Sequence, residues 1–296
     1  MSSRLLALFI PLLGLVNSAL LPRDGDVAVN NQWLGHDKII PLPALPDDDI
    51  MGELEQQFSP LLYSWHGCIP YAAVDADGNA GEGLKPTGKS GGDCRDFKQA
   101  GQTYTRVGKS HDRFAVLYSY YLPKVMGDAE QHRHHWLTAV VWLAFQKCPD
   151  EARSFSPRGI SYSTSPGQFD TKRTTTLYVA KDGTGPATHP LVTYDAGQIL
   201  FPSDVGPSGA LSPPLVGWHR LPQRTKDQFN GIKYEHTKVP FSDGNFQAYL
   251  DAAYNEAFYD GVSTAMDCGS LDPPQSMIDP DLEDVPPSAE PTAPPS

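Results

Sequence analysis

The sequence predicts a mostly β protein, a single antiparallel β-sandwich with a few edge helices. Three observations predict it. Short β-branched or aromatic runs recur between Gly, Pro and Asp punctuation. The chain has 296 residues, 40% hydrophobic and 20% charged, ample for one packed core. No internal repeat or second-domain boundary interrupts it.

Residues 1–19 read as a signal peptide. Arg4 supplies the positive n-region, Leu5 to Val16 an apolar run shorter than the ~20 residues that cross a bilayer, and Val16-Asn17-Ser18-Ala19 small residues for cleavage. Pro11, Gly14 and the lack of a polar face speak against the alternative, a buried helix. Residues 20–46, with Pro22, Pro41, Pro43 and Pro46, read as an extended leader, and the domain proper as 47–270. Two helices are expected. "DDDIMGELEQQFSPLL" sets Ile50, Leu54, Phe58 and Leu61 at helical spacing behind acidic first-turn residues, and "SDGNFQAYLDAAYNEAFYDG" does the same with Phe246, Tyr249, Leu250, Ala253 and Ala257. "RFAVLYSYYLP" alternates, with Phe114, Val116, Tyr118 and Tyr120 on one face; "HHWLTAVVWLAF", "TTTLYVAKDGT" and "HPLVTYDAG" are further strands. Residues 271–296 carry eight prolines and six acids with no Lys or Arg, and cannot bury enough apolar surface to order themselves.

An export signal implies an extracellular protein in an oxidising compartment, so Cys68, Cys94, Cys148 and Cys268 point to disulfides, with three pairings open. None forms a C-x-x-C pair, which disfavours a zinc ribbon or redox motif. The net charge of −12 disfavours nucleic acid and simple docking on anionic lipid; peripheral membrane contact would need specific head-group recognition, and a monomer is expected.

The chemistry-bearing stretch is "EQHRHHWLTAVVWL". On a regular strand His132 and His134 face one way, Arg133 and His135 the other. An H-x-H pair supplies two corners of a zinc site, with a third ligand owed by His66, His111, His189, His219, His236 or an acid; hydrogen-bonded rim histidines are the plainer reading. A His132/His135 pair is disfavoured because the two should face opposite sides. "DADGN" (75–79) starts like a calcium loop, but Pro86 stands where the twelfth-position Glu is needed, so it reads as a turn. No G-x-S-x-G elbow or phosphate-cradling glycine loop is present, which leaves a zinc hydrolase an outsider and predicts no enzyme.

"AVLYSYYLPK" (115–124) followed by "QHRHHW" (131–136) resembles the adjoining signature segments AIMYSWYxPKD and GHRHDWE of the necrosis- and ethylene-inducing-peptide-like proteins. "GCIPYAAVDADGNAGEGLKPTGKSGGDCRD" resembles that family's first cysteine loop and "VPFSDGNFQAYLDAAY" its C-terminal helix entry, so the likeness spans about residues 60 to 260. It implies a sandwich shaped like actinoporins and some fungal lectins, secretion by a plant-associated microbe, and binding to plant sphingolipid head groups or sensing by plant immune receptors. It also implies a divalent cation, calcium or magnesium, in an acidic pocket, and membrane damage without an enzymatic reaction. The cysteine loop implies Cys68–Cys94, leaving Cys148–Cys268.

Carried over residue by residue, the pocket is damaged. His132, Arg133, His134 and Trp136 match the signature, and with His135 they are the candidate head-group and cation residues. The initial Gly is Gln131, and Val125, His135 and Leu137 stand where the signature has Asp, Asp and Glu. A hard cation needs several oxygens, so ordinary calcium affinity should collapse unless Asp128 and Glu130, in a loop one residue shorter, join His132 as ligands. The expectation is a secreted protein that is weakly cytolytic or non-cytolytic; an active cation-dependent cytolysin is the alternative.

Overall fold

The computed structural model describes residues 25–30, 32–44, 49–127, 131–145, 154–173, 175–181, 183–196 and 199–262. The signal peptide, the acidic tail, Asp128, Glu130, Cys148 and Cys268 lie outside the described residues.

In chain order the strands are β1 (Trp33–Leu34), β2 (Leu61–Ser64), β3 (Ala80–Gly81), β4 (Thr103–Ser110), β5 (Arg113–Met126), β6 (Gln131–Phe145), β7 (Phe155–Ser165), β8 (Gln168–Asp170), β9 (Tyr178–Val179), β10 (His189–Tyr194), β11 (Phe201–Pro202) and β12 (Leu215–Gly217). The helices are α1 (Ile50–Gln57), α2 (Gln223–Gly231) and α3 (Phe246–Ala253). The main sheet runs β12-β4-β5-β6-β7-β8 and the second β11-β10-β2, with β9 also on β10. The predicted antiparallel pairing holds from β4 to β8. Parallel pairs are added where β2 joins β10, β12 joins β4 and β1 joins β3.

The two longest strands form the spine. β5 is buried from Phe114 to Val125, on both faces, because helices and loops cover both sides of the sheet; single-face alternation is therefore replaced by an almost continuous apolar run. Tyr118 shows the same layering, donating to the Glu55 carbonyl of α1 at 2.9 Å. β4 and β5 meet through His111 and Asp112 at φ +51° and +58°, a two-residue turn between the paired Ser110 and Arg113.

α1 starts where Asp49 accepts from the Gly52 N–H at 2.7 Å. It ends at Phe58, ahead of Pro60, so Leu61 opens β2 instead of lengthening the helix. α3 follows the expected apolar stripe but stops at Ala253, and the remainder becomes a short 3-10 turn, Glu256–Tyr259. Of the run 174–184, only Tyr178–Val179 is strand among the described residues. Arg106, 1% exposed on β4, ties the main sheet to the approach to α3: it donates to the Phe241 carbonyl and to Asp243, each at 2.8 Å.

Cys68 and Cys94 form a disulfide, with Cα atoms 4.8 Å apart. Arg95 beside it donates to the Ser64 carbonyl at 2.6 Å and to Gly67 O at 3.0 Å, which pins the loop leaving β2. The bridge closes 26 positions of chain, so in a chain-entropy account it contributes ~3 kcal/mol. Replacing both cysteines (Cys68→Ser with Cys94→Ser) is expected to lower unfolding free energy by about that amount with far-UV dichroism unchanged; a urea titration showing a loss under ~0.5 kcal/mol would refute it.

Candidate functional site

The histidine stretch opens β6, paired to the end of β5 with Val125 opposite His132, Lys124 opposite Arg133, Leu122 opposite His135 and Tyr121 opposite Trp136. The gap in that register is the position of Pro123 and His134. Pro123 has no N–H to give a ladder, and its carbonyl accepts instead from the Leu84 N–H at 2.9 Å. His134 takes a left-handed backbone, φ +53°. A left-handed residue breaks the two-residue alternation of a strand.

The faces expected from simple alternation are thereby reversed. His132 and His134 do not share a side; His132 and His135 do, with ring centroids 5.5 Å apart, and His236 lies 5.0 Å from His132. The H-x-H zinc pair is corrected on this ground, and so is the expectation that His132 and His135 stand apart. Among the described residues no group of three or more His, Cys, Asp or Glu side chains is placed to hold a metal ion.

His134 points into the protein and is fully buried. Its Nδ1 lies 2.7 Å from Tyr121 Oη, and its Nε2 faces Asp26 Oδ2 at 3.2 Å. Trp33 and Tyr234 pack on the ring at 5.6 and 4.5 Å. Gly83, φ +65°, closes the remaining side: a Cβ there would sit 2.8 Å from His134 Cε1 and 2.9 Å from Pro123 O. Burial pushes the Asp26 carboxyl up, but the hydrogen bond and charge of His134, with the Glu235 N–H and the Arg133 charge, outweigh it and hold it below its ordinary value of 3.8.

Trp136 is likewise core, 4% exposed and edge-on to Tyr104 and Phe241 at 5.6 and 5.3 Å. Of the five head-group candidates, Arg133 is the one partly open to solvent; its guanidinium approaches Glu82 O at 3.4 Å. His132 and His135 are 3% and 2% exposed, and His132 Nδ1 donates to the Arg133 carbonyl at 2.8 Å. The "DADGN" segment is a turn as read: Asp75 accepts from the Asp77 and Asn79 N–H groups at 3.0 and 2.9 Å. A polar cavity of ≈ 460 Å³ is lined by His36, Asp37, Tyr71, Gly91, Asp93, Arg95, Asp96 and Gln99, none from the histidine cluster.

The chain matches the family model described as Necrosis inducing protein (NPP1) over residues 52–253. It belongs to that family. Among curated relatives, it is 30% identical over 235 residues to NLP effector protein Pc576423 of Phytophthora capsici, covering 76% of this chain and 92% of that one. It is 28% identical to the necrosis-inducing protein NPP1 of Phytophthora nicotianae, covering 75% and 90%. Among solved structures, NLPPya in complex with mannosamine aligns at a TM-score of 0.62 and 28% identity, over 75% of this chain and 99% of that one. The structure described as non-toxic HaNLP3 protein aligns at 0.64 and 26%, over 74% and 98%. The family resemblance and the mostly β toxin fold are thus established.

Where the necrosis-inducing signature has carboxylates, this chain has other side chains. Val125, His135 and Leu137 are 2%, 2% and 0% exposed, and offer one imidazole and two hydrocarbon groups to an ion that selects oxygen. Calcium or magnesium therefore does not fit the described residues. Sequence reasoning missed Asp26, Gly83 and Tyr234, which come from distant segments; the one local signal was Pro123 inside an otherwise central strand.

Two outcomes follow for the His134 site. Asp26→Asn should cost about 1.5–3 kcal/mol near neutral pH through the lost charged hydrogen bond. Because the folded carboxyl lies below 3.8, its contribution is fully present above that value and is lost as pH falls through the depressed folded value, so wild type and variant should converge at acid pH. Urea midpoints measured against pH that stay parallel would refute this. Gly83→Ala should cost about 1–3 kcal/mol, from the left-handed φ and the crowding of His134, read as a lowered Tm.

Proposed function

We propose that the protein is an exported member of the necrosis-inducing family that has lost the hard-cation pocket and is weakly cytolytic or non-cytolytic. It acts without enzymatic chemistry, through contact with plant sphingolipid head-group sugars or recognition by plant immune receptors. The observation that carries this reading is the burial of Val125, His135 and Leu137 at the three signature carboxylate positions. Those replacements remove charge and coordinating oxygens together, while the scaffold that positions them is retained.

The likeness to a structure described as non-toxic supports a fold that persists without toxicity. The complexes of NLPPya with mannosamine and glucosamine support a sugar as the contacted group. No helix of the described residues is long and apolar enough to cross a membrane, in keeping with peripheral contact. The competing reading, an active cation-dependent cytolysin, needs Asp128 and Glu130 as substitute ligands with His132, and both acids lie outside the described residues.

Calorimetric titration with calcium, run beside dye leakage from eudicot plasma-membrane vesicles, decides between the two. Expected are no saturable calcium binding below the millimolar range and no leakage at nanomolar protein. Micromolar calcium affinity with leakage would establish the cytolysin, and Asp128→Ala with Glu130→Ala would then have to abolish both.

A further inference from the structure

The polar cavity of ≈ 460 Å³ walled partly by the cysteine loop falls within the roughly 300–1,000 Å³ of small-molecule sites, and none of its lining residues belongs to the histidine stretch of β6. Its floor is aromatic. His36 and Tyr71 are 9% and 3% exposed, and their ring centroids lie 5.1 Å apart. His36 Nε2 donates to the Asp93 carbonyl at 2.6 Å, so in the neutral ring Nδ1 is left as an acceptor, and nothing among the described residues donates to it. The rim is acidic: Asp37, Asp93 and Asp96 are exposed around the same void. Asp37 has Lys38 at 3.0 Å, whereas Asp93 and Asp96 enter no salt bridge among the described residues. Arg95, the cation in the wall, is turned to the Ser64 Oγ, the Ser64 carbonyl and Gly67 O at 2.7, 2.6 and 3.0 Å. The negative field reaches the floor: burial first, then the charges of Asp96 and Asp37, outweigh the Asp96 N–H and push the Tyr71 hydroxyl above its ordinary value of 10.0.

We propose that this cavity binds an organic ammonium ligand, an aliphatic polyamine by chemical class, with its ammonium groups against Asp37, Asp93 and Asp96 and its methylenes over His36 and Tyr71. A positive group above an aromatic floor and inside a ring of carboxylates is favoured by the ring quadrupole and by charge together. A metal ion is not the match, because these acids are not placed to hold one. They come from separate segments, Asp37 after β1 and the other two on the cysteine loop, so the charge is spread round the void instead of focused on a point. A chain of ammonium groups separated by hydrocarbon fits that spread. Gln99 adds an amide oxygen, and His36 Nδ1 accepts an N–H. The wall is fixed before the ligand arrives: Cys94, between Asp93 and Arg95, is bridged to Cys68, and its carbonyl accepts from the Ile69 N–H at 2.9 Å. Few groups are then left to order on binding. The net charge of −12 draws a polycation toward the chain. The site is separate from the head-group contact proposed above and does not depend on it.

Calorimetric titration of the full mature chain with spermidine is the test. Expected is one site per chain with a Kd below ~1 mM, weakened about threefold or more when salt is raised from ~50 to ~300 mM. Asp93→Asn combined with Asp96→Asn should weaken binding by about tenfold or more through the lost charge-assisted hydrogen bonds. Tm should stay unchanged, because both side chains are on the exposed rim and Asn tolerates the left-handed backbone of Asp93, φ +60°. Asp227→Asn, which removes an exposed acid of α2 outside the cavity, should leave the affinity unchanged. The proposal is overturned by an absence of saturable binding, or by unchanged affinity in the Asp93/Asp96 variant. It is equally overturned if Asp227→Asn weakens binding as much, the mark of a polycation condensed anywhere on an acidic chain, or if equimolar Ca²⁺ or glucosamine displaces spermidine, the mark of a metal or a sugar site.

Discussion

One residue in a left-handed conformation organises the end of the β5–β6 ladder. His134 faces Pro123 across the β5–β6 ladder, where proline can give no hydrogen bond, and the strand answers by turning that residue inward. A non-glycine residue there costs about 1–3 kcal/mol, so it persists only if its surroundings fix it. They do so with groups from four segments. Tyr121 comes from β5, Asp26 from the start of the described chain, Gly83 from the cysteine-loop region, and Tyr234 from the stretch after α2. The same turn that buries His134 sets His132 and His135 side by side.

The positions around this turn form a spatial unit. Val125 is directly opposite His132, and His135 and Leu137 follow on β6 with Leu122 and Tyr120 as their partners. Residues far apart in the linear signature are therefore brought to the same end of the β5–β6 ladder. What surrounds them is intact: Trp136 fills an aromatic cluster with Tyr104, Phe229 and Phe241, and β5 is buried along its length. Stability of the scaffold rests on that aromatic and aliphatic packing, which is indifferent to whether an ion is held at its rim. A change of side chains at that rim therefore leaves the packing of the fold unaltered.

The long strands β5 and β6 were legible because the almost continuously apolar and aromatic runs Phe114–Leu122 and Trp136–Phe145 have few other ways to be buried. β10 and the starts of α1 and α3 were legible for similar local reasons. The parallel pairings of β2 and β12 were not, because they join segments more than a hundred residues apart and no local pattern encodes a partner. α2 escaped notice because "QRTKDQFNG" buries only Thr225, Gln228 and Phe229 and reads as polar throughout. The β4–β5 turn uses His-Asp where Asn-Gly is the usual signal. At the site, a period-two rule applied through Pro123 gave the wrong faces for three histidines; proline's missing donor was visible in the sequence, but the direction of the resulting turn was not.

Electrostatics links the altered pocket to encounter as well as docking. The chain carries a net charge of −12, and an anionic membrane surface opposes its approach over a Debye length of ~8 Å at physiological salt. A divalent cation at the sheet edge would invert the local field where contact is made, so in an acidic-pocket protein the ion both positions a head group and lowers the repulsion met on arrival. Val125 and Leu137 contribute no charge, and an imidazole at His135 supplies no oxygen to a hard cation. The described edge then presents the half-buried Arg133 as its fixed positive group, with Lys124 turned to the Thr87 and Lys89 carbonyls at 3.1 and 3.0 Å. One guanidinium suffices to orient a sugar or a carboxylate by hydrogen bonds, but it does not offset the repulsion of the whole chain. On the proposed reading, this edge keeps a group able to orient a sugar while lacking the charge that would favour sustained contact with an anionic surface.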